Sequence, residues 1–207
     1  GPNSVAVIPG STEDEVWVVV SRVIGGSLVR YLEQVQPRKF GLQEDAWFVD
    51  SGLKYDGAAA DNFTGLEHLE GEEVAILGDG AVFARQTVTN GTLPAALSEK
   101  VSKAIVGLPS TYKLKPMRFD LSIEGTTKGS VKSIPEVVIS FLNTLNAQYG
   151  TDEDHLFKID WQTEEPYGSP PALYSGDKVV AHEGGWDAED SILITGSDPL
   201  PCTVRSI

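Results

Sequence analysis

The chain is poor in sulfur and in positive charge. Its 207 residues include one cysteine, Cys202, and one methionine. A lone thiol excludes an internal disulfide framework and a cysteine-built zinc site. Lysine and arginine total 16 against 30 aspartates and glutamates, a formal net charge of −14. No run of basic residues is present. Phosphate contacts need clustered Lys and Arg, so nonspecific binding to nucleic acid is disfavoured. No apolar run is long enough to cross a bilayer as a helix, and no secretory signal pattern is visible.

The sequence signatures of catalysis are missing as well. There is no Gly-x-Ser-x-Gly elbow to present a serine nucleophile. Gly78-Asp79-Gly80 and Gly125-Thr126-Thr127-Lys128-Gly129-Ser130 lack the spacing of a phosphate loop and read as turns. None of the three histidines, His68, His155 and His182, has the spacing of a zinc enzyme. Glu67-His68 and Glu70 lie close in sequence, and their plain reading is a surface turn. Carboxylates are numerous enough that some pair will stand at glycosidase distance by chance, and nothing singles one out. No enzymatic activity and no cofactor are expected.

What is present is the composition of a folded β protein. Apolar residues make up 41% and charged residues 22%, which supports a core and argues against disorder. The 21 glycines and 12 prolines fall mostly between apolar runs, as turn punctuation. Val5-Ala6-Val7-Ile8 is a strand closed by Pro9-Gly10. Val16 to Ile24 is a second, apolar on both faces, so it should be interior or covered. Gly25-Gly26 joins it to Leu28–Leu32 as a hairpin whose turn needs positive φ. Trp47-Phe48-Val49 reads as the next strand, and the small residues of Gly57 to Asn62 as a linker.

From residue 63 to 108 short strands alternate with Asp-Gly and Asn-Gly turns: Glu73 to Leu77, Ala81 to Phe83 and Lys103 to Val106. Pro94 to Ser102 fits a loop or a short helix. Tyr112 to Ile123 is expected to run back to the first sheet. Val131 to Leu145 is rich in valine and isoleucine and is read as strand rather than helix. Leu156 to Trp161, Val179-Val180, Ser191 to Thr195 and Thr203 to Ile207 complete the strands, with a proline-rich loop over Glu165 to Pro171. The expected fold is mainly β, with antiparallel, sandwich-like sheets. Residues 1–60 and 111–207 would form one β-sandwich-like domain, with 61–110 inserted as a small β-barrel module.

Few residues suggest a site. Thr151-Asp152-Glu153-Asp154-His155 is the densest acidic cluster, and Asp152 and Asp154 are the residues that would hold a calcium ion. The loop lacks the calcium-hand pattern, so a solvated loop is the expected outcome and no metal is predicted. Trp17, Trp47 and Trp161 lie in apolar strands and read as core. Trp186, between Gly184-Gly185 and Asp187, is the best candidate for an exposed aromatic in a subunit contact or ligand site, with packing against its own loop as the plain reading.

Several segments together resemble the C-terminal region of tail structural proteins from tailed bacteriophages, of the nozzle, hub or tubular type. They are Val7-Ile8-Pro9-Gly10, Asp14-Glu15-Val16-Trp17, the hairpin ending near Arg30-Tyr31, and Phe48-Val49-Asp50-Ser51-Gly52-Leu53 with Tyr55-Asp56-Gly57. Gly65-Leu66-Glu67-His68-Leu69-Glu70-Gly71, Val106-Gly107-Leu108-Pro109 and Pro199-Leu200-Pro201 complete the set. The resemblance implies a ring that continues the DNA channel and holds other tail parts. Its partners would be further copies of the chain and other tail or portal proteins. DNA would pass transiently, without specific binding, and an acidic lumen would repel it. The location implied is the virion tail, after assembly in the bacterial cytoplasm, with no membrane partner. Gly1-Pro2 reads as the scar of a cleaved tag on an excised domain. The alternatives are a module that binds a host-surface glycan, through Trp186 or the long loops, and a glycan-degrading enzyme.

Overall fold

In the computed structural model the described residues are 1–10, 13–37, 39–117, 129–131, 133–161, 169–186 and 191–207. The fold is mainly β, built of antiparallel sheets. Two compact units are present, Gly1–Ser110 and Thr111–Ile207. Residues 1–60 therefore share a unit with 61–110, where the sequence grouped them with 111–207.

The first unit opens with β1 (Pro2–Ile8), β2 (Glu15–Ile24) and β3 (Ser27–Gln34), an antiparallel sheet in that order. Gly25 and Gly26 have φ of 54° and 79°, so the two-residue turn is of the primed kind that the strand twist favours. One face of this sheet turns inward. Ile24 is buried there, and Val29 and Tyr31 pack on a core containing Phe63, Leu69, Ile76 and Val106. The other face carries Ile8, Trp17, Val19, Val23, Leu28 and Leu32, because partners opposite each other in register share a face.

A second sheet is made of β4 (Val49–Ala60), β5 (Glu73–Gly78), β6 (Ala81–Thr87) and β7 (Val101–Pro109), in the order β4-β7-β5-β6. Where a small barrel is expected over 61–110, β5 to β7 join β4 in this four-stranded sheet, and no closed barrel is seen among the described residues. β5 is buried along Val74–Gly78, as befits an interior strand with both faces covered. Asp79-Gly80 and Asn90-Gly91 turn with positive φ, as their sequence predicts. Residues 94–100 form a loop.

Two expectations for β4 are corrected. Trp47 and Phe48 precede the strand, and the presumed linker at Gly57 to Ala60 lies inside it. The ladder with β7 reaches Asp56↔Lys103 and Ala60↔Val101, and this pairing overrides the low β propensity of glycine and alanine. Trp47 and Phe48 are instead turned by a 3-10 turn over Gln43–Asp45. Lys103 Nζ anchors that turn on β7, 2.5 Å from Glu44 and 3.4 Å from Asp45.

The second unit is sandwich-like. One sheet holds β8 (Tyr112–Leu114), β10 (Gln148–Gly150), β11 (Leu156–Lys158) and β13 (Leu193–Gly196), in the order β11-β10-β13-β8. The other holds β9 (Glu136–Thr144), β12 (Tyr174–Ala181) and β14 (Val204–Ser206), with β9 central. Their inward faces share Ile139, Phe141, Val180, Ile192 and Ile194. The strand reading of 131–145 holds for β9, which begins later, at Glu136. β8 pairs with β13 and not with the first sheet. Residues 118–123 of that expected strand, 125–128 of the Gly-rich turn and 165–168 of the proline-rich loop lie outside the described residues. β10 was not foreseen, because Gly150 and Asp152 read as loop.

Candidate functional site

The most developed polar constellation lies inside the first unit, where β3 and β4 border a groove of about 550 Å³. A β-bulge creates its shape. Asp50 pairs with Leu108 and Leu53 with Val106, so Ser51 and Gly52 together face Gly107 alone. Ser51 takes φ of 49°, a left-handed conformation that costs a non-glycine residue about 1–2 kcal/mol. The bulge aims the Ser51 hydroxyl at Glu33, to which Oγ donates at 2.5 Å.

Glu33 is held in turn by Arg22. Nε donates to Oε1 at 3.0 Å and Nη2 to Oε2 at 2.9 Å, the two-pronged geometry that suits guanidinium to carboxylate. Arg22 Nη1 also stands 3.6 Å from Asp50. Partial burial pushes the Glu33 carboxyl up, but the hydrogen bonds from Arg22 and Ser51 outweigh it and hold the group below its ordinary range. The hydrogen bond to Glu33 likewise raises Arg22. His68 Nε2 lies 2.9 Å from the Ser51 carbonyl oxygen, and the Tyr31 hydroxyl donates to the His68 carbonyl at 2.6 Å. The Tyr31 and His68 rings meet edge to face at 5.9 Å. Trp47 covers Gly52, where an added Cβ would come within 3.0 Å of the indole.

The chemistry of this network is that of a clasp between two sheets. A serine activated for attack needs a free base beside it. Here the partner of Ser51 is a carboxylate already matched by an arginine, and His68 contacts the backbone of Ser51.

The residues singled out from sequence fall elsewhere. Glu67, His68 and Glu70 do not converge: Glu70 accepts the backbone N–H groups of Asn90 and Gly91 at 2.9 and 2.8 Å, fixing that turn. Asp152 Oδ1 accepts from the N–H groups of Asp154 and His155 and from His155 Nδ1, each within 2.9 Å. Asp152 thus closes its own loop, Asp154 is exposed, and no cluster of three metal-ligating side chains occurs among the described residues. The hydrogen bond with His155 lowers Asp152 and raises His155.

Trp186 is 78% exposed. Its acidic neighbours Asp187, Glu189 and Asp190 lie outside the described residues. Trp17 is not core. It sits half-buried on the outward face of β2, its Nε1 donating to Glu15 at 3.1 Å. Trp47 lines the groove, and Trp161 packs edge-on against Phe141 at 5.1 Å. Burial pushes the Cys202 thiol up, against a hydrogen bond with Tyr112 that lowers it, so the thiolate is scarce. Among the described residues, no helix is long and apolar enough to cross a membrane.

Sequence reasoning missed the clasp because its members are far apart in the chain. The available signal was Ser51-Gly52 in a strand, a pattern that marks a bulge. No protein-family model matches the chain, and comparison with curated proteins gives no significant match.

Proposed function

We propose that this chain is a structural component of a bacteriophage tail, a subunit of a nozzle- or hub-type ring that continues the DNA channel. The observation that carries the reading is the outward face of the β1–β2–β3 sheet. Leu28 is 71% exposed, Leu32 67%, Val23 62% and Ile8 50%, all on one face. These apolar side chains share the face with Ser21 and Arg30, and exposed apolar surface set among polar residues marks a surface that another molecule covers. Copies of the chain, or neighbouring tail proteins, are the partners that suit a rigid β module. The net charge of −14 fits a conduit through which DNA passes without sticking. Sedimentation velocity across a concentration series tests the reading. Reversible self-association that is lost in Leu28→Asp supports it; a monomer at every concentration, with no other tail protein bound, opposes it.

A second reading has one observation in its favour. The exposure of Trp186 suits stacking on a sugar ring of a host-surface glycan. Glycan-array binding that disappears in Trp186→Ala would favour it over the ring.

A further inference from the structure

The groove of the first unit is bordered by strand edges. Its lining includes six consecutive residues, Tyr31 to Gln36, and five more, Val49 to Leu53. Side chains alternate between the faces of a strand, so one face cannot supply consecutive residues; an edge can. Both edges are open in the sheet order, since among the described residues β3 pairs only with β2 and β4 only with β7. The hydrogen-bond direction follows from the register. Val35 N–H donates to the Val16 carbonyl at 2.8 Å, so residues 35, 33 and 31 turn their backbone groups toward β2. Leu32 and Gln34 then turn theirs outward, to the free edge. Outside the ladder with β2, no backbone hydrogen bond of Leu32 or Gln34 is found among the described residues. Open backbone donors and acceptors along a groove are a template for another strand.

We infer that this groove binds an extended segment of another polypeptide, which adds as a strand to the free edge of β3. Tyr31 to Gln36 span roughly 17 Å at about 3.3 Å per residue, enough for a segment of about six residues. The walls choose its side chains. Val18, Val35, Trp47 and Leu53 line the groove with apolar surface, and an extended strand turns every second side chain toward one wall. Arg22 alone faces two carboxylates, Glu33 at 2.9 Å and the more exposed Asp50 at 3.6 Å, so this end of the groove keeps an excess of negative charge. The segment that fits is therefore apolar at alternate residues and basic at an end. The clasp of Arg22, Glu33 and Ser51 fixes the two edges in place before the segment arrives, which reduces the ordering cost of binding. The inference stands on the groove alone and holds whether or not the chain builds a ring.

The test uses the full chain, nitrogen-15 labelled, titrated with the peptide Lys-Val-Thr-Val-Thr-Val-Lys. The amides of Leu32 and Gln34 should shift and gain protection from exchange. A peptide with alternate backbone nitrogens methylated keeps its side chains and loses its donors; it should bind about tenfold more weakly or worse. The Glu-ended analogue should also weaken, by its charge. Gln34→Pro removes an outward N–H, a change tolerated at a sheet edge, and should abolish binding with the melting temperature kept. Equal binding of the methylated peptide overturns the inference. So does full binding by Gln34→Pro, or the absence of any shift up to about 1 mM peptide.

Discussion

Gly107 lies so close to Gly52 that a Cβ at position 107 would stand 2.7 Å from the Gly52 Cα. It would also meet the Asp50 carbonyl oxygen at 2.8 Å. The bulge of β4 thus rests directly on the backbone of β7. Gly107→Ala has no room to relax, because backbone is what it strikes. It should destabilise the first unit by about 1–3 kcal/mol, the range for overpacking. Chemical denaturation followed by exchange at β5 and β7 amides checks this.

Ser51 carries two opposing terms, a strained φ and a hydrogen bond to Glu33. Ser51→Ala keeps the strain and loses the bond. Ser51→Gly loses the bond and relieves the strain. Alanine should therefore be the worse substitution, by about 1 kcal/mol. Paired denaturation midpoints of the two variants give the order directly.

The Glu33 carboxyl is held below its ordinary value of 4.5, so its contribution to stability is present above that value. The contribution is lost as pH falls from about 4.5 through the lower folded value. Wild type should therefore lose protection at β2 and β3 amides in that acid window more steeply than Glu33→Gln. The difference should vanish between pH 6 and 8 in slope, leaving a constant offset. Solvent screening of this partly exposed pair keeps the effect small. Hydrogen exchange of both proteins across the window measures it.

Leu28→Asp and Val23→Asp change the open face without touching the core. Each should shift stability by about 0.5 kcal/mol or less, because exposed sites tolerate substitution. Each should nevertheless weaken association. A variant that melts early would show that the face supports the fold itself, and thermal denaturation of the dilute protein decides this.

Local signals carried much of the fold. Gly25-Gly26, Asp79-Gly80 and Asn90-Gly91 name their turns because positive φ is required there. The valines of β2 and β9 name strands because branched side chains pack on a pleated surface. The pairing partners were another matter. β4 extends through Gly57 to Ala60 only because β7 lies beside it, and no local pattern of small residues reveals a neighbour. Trp17 looks like core from its apolar strand, yet one face of β2 packs and the other stays open, and sequence alone does not say which. The clasp was illegible for the same reason: Arg22, Glu33 and Ser51 meet only after β3 and β4 are folded against one core. For Trp186 the flanking glycines and acids offered exposure beside local packing, and the side chain is exposed.

The central claim is a place in the phage tail. An antibody raised against this chain, applied to intact virions and viewed by electron microscopy, tests it most directly. Label confined to the tail is the expected result. Virions without label, from infected cells that contain the protein, would contradict the claim.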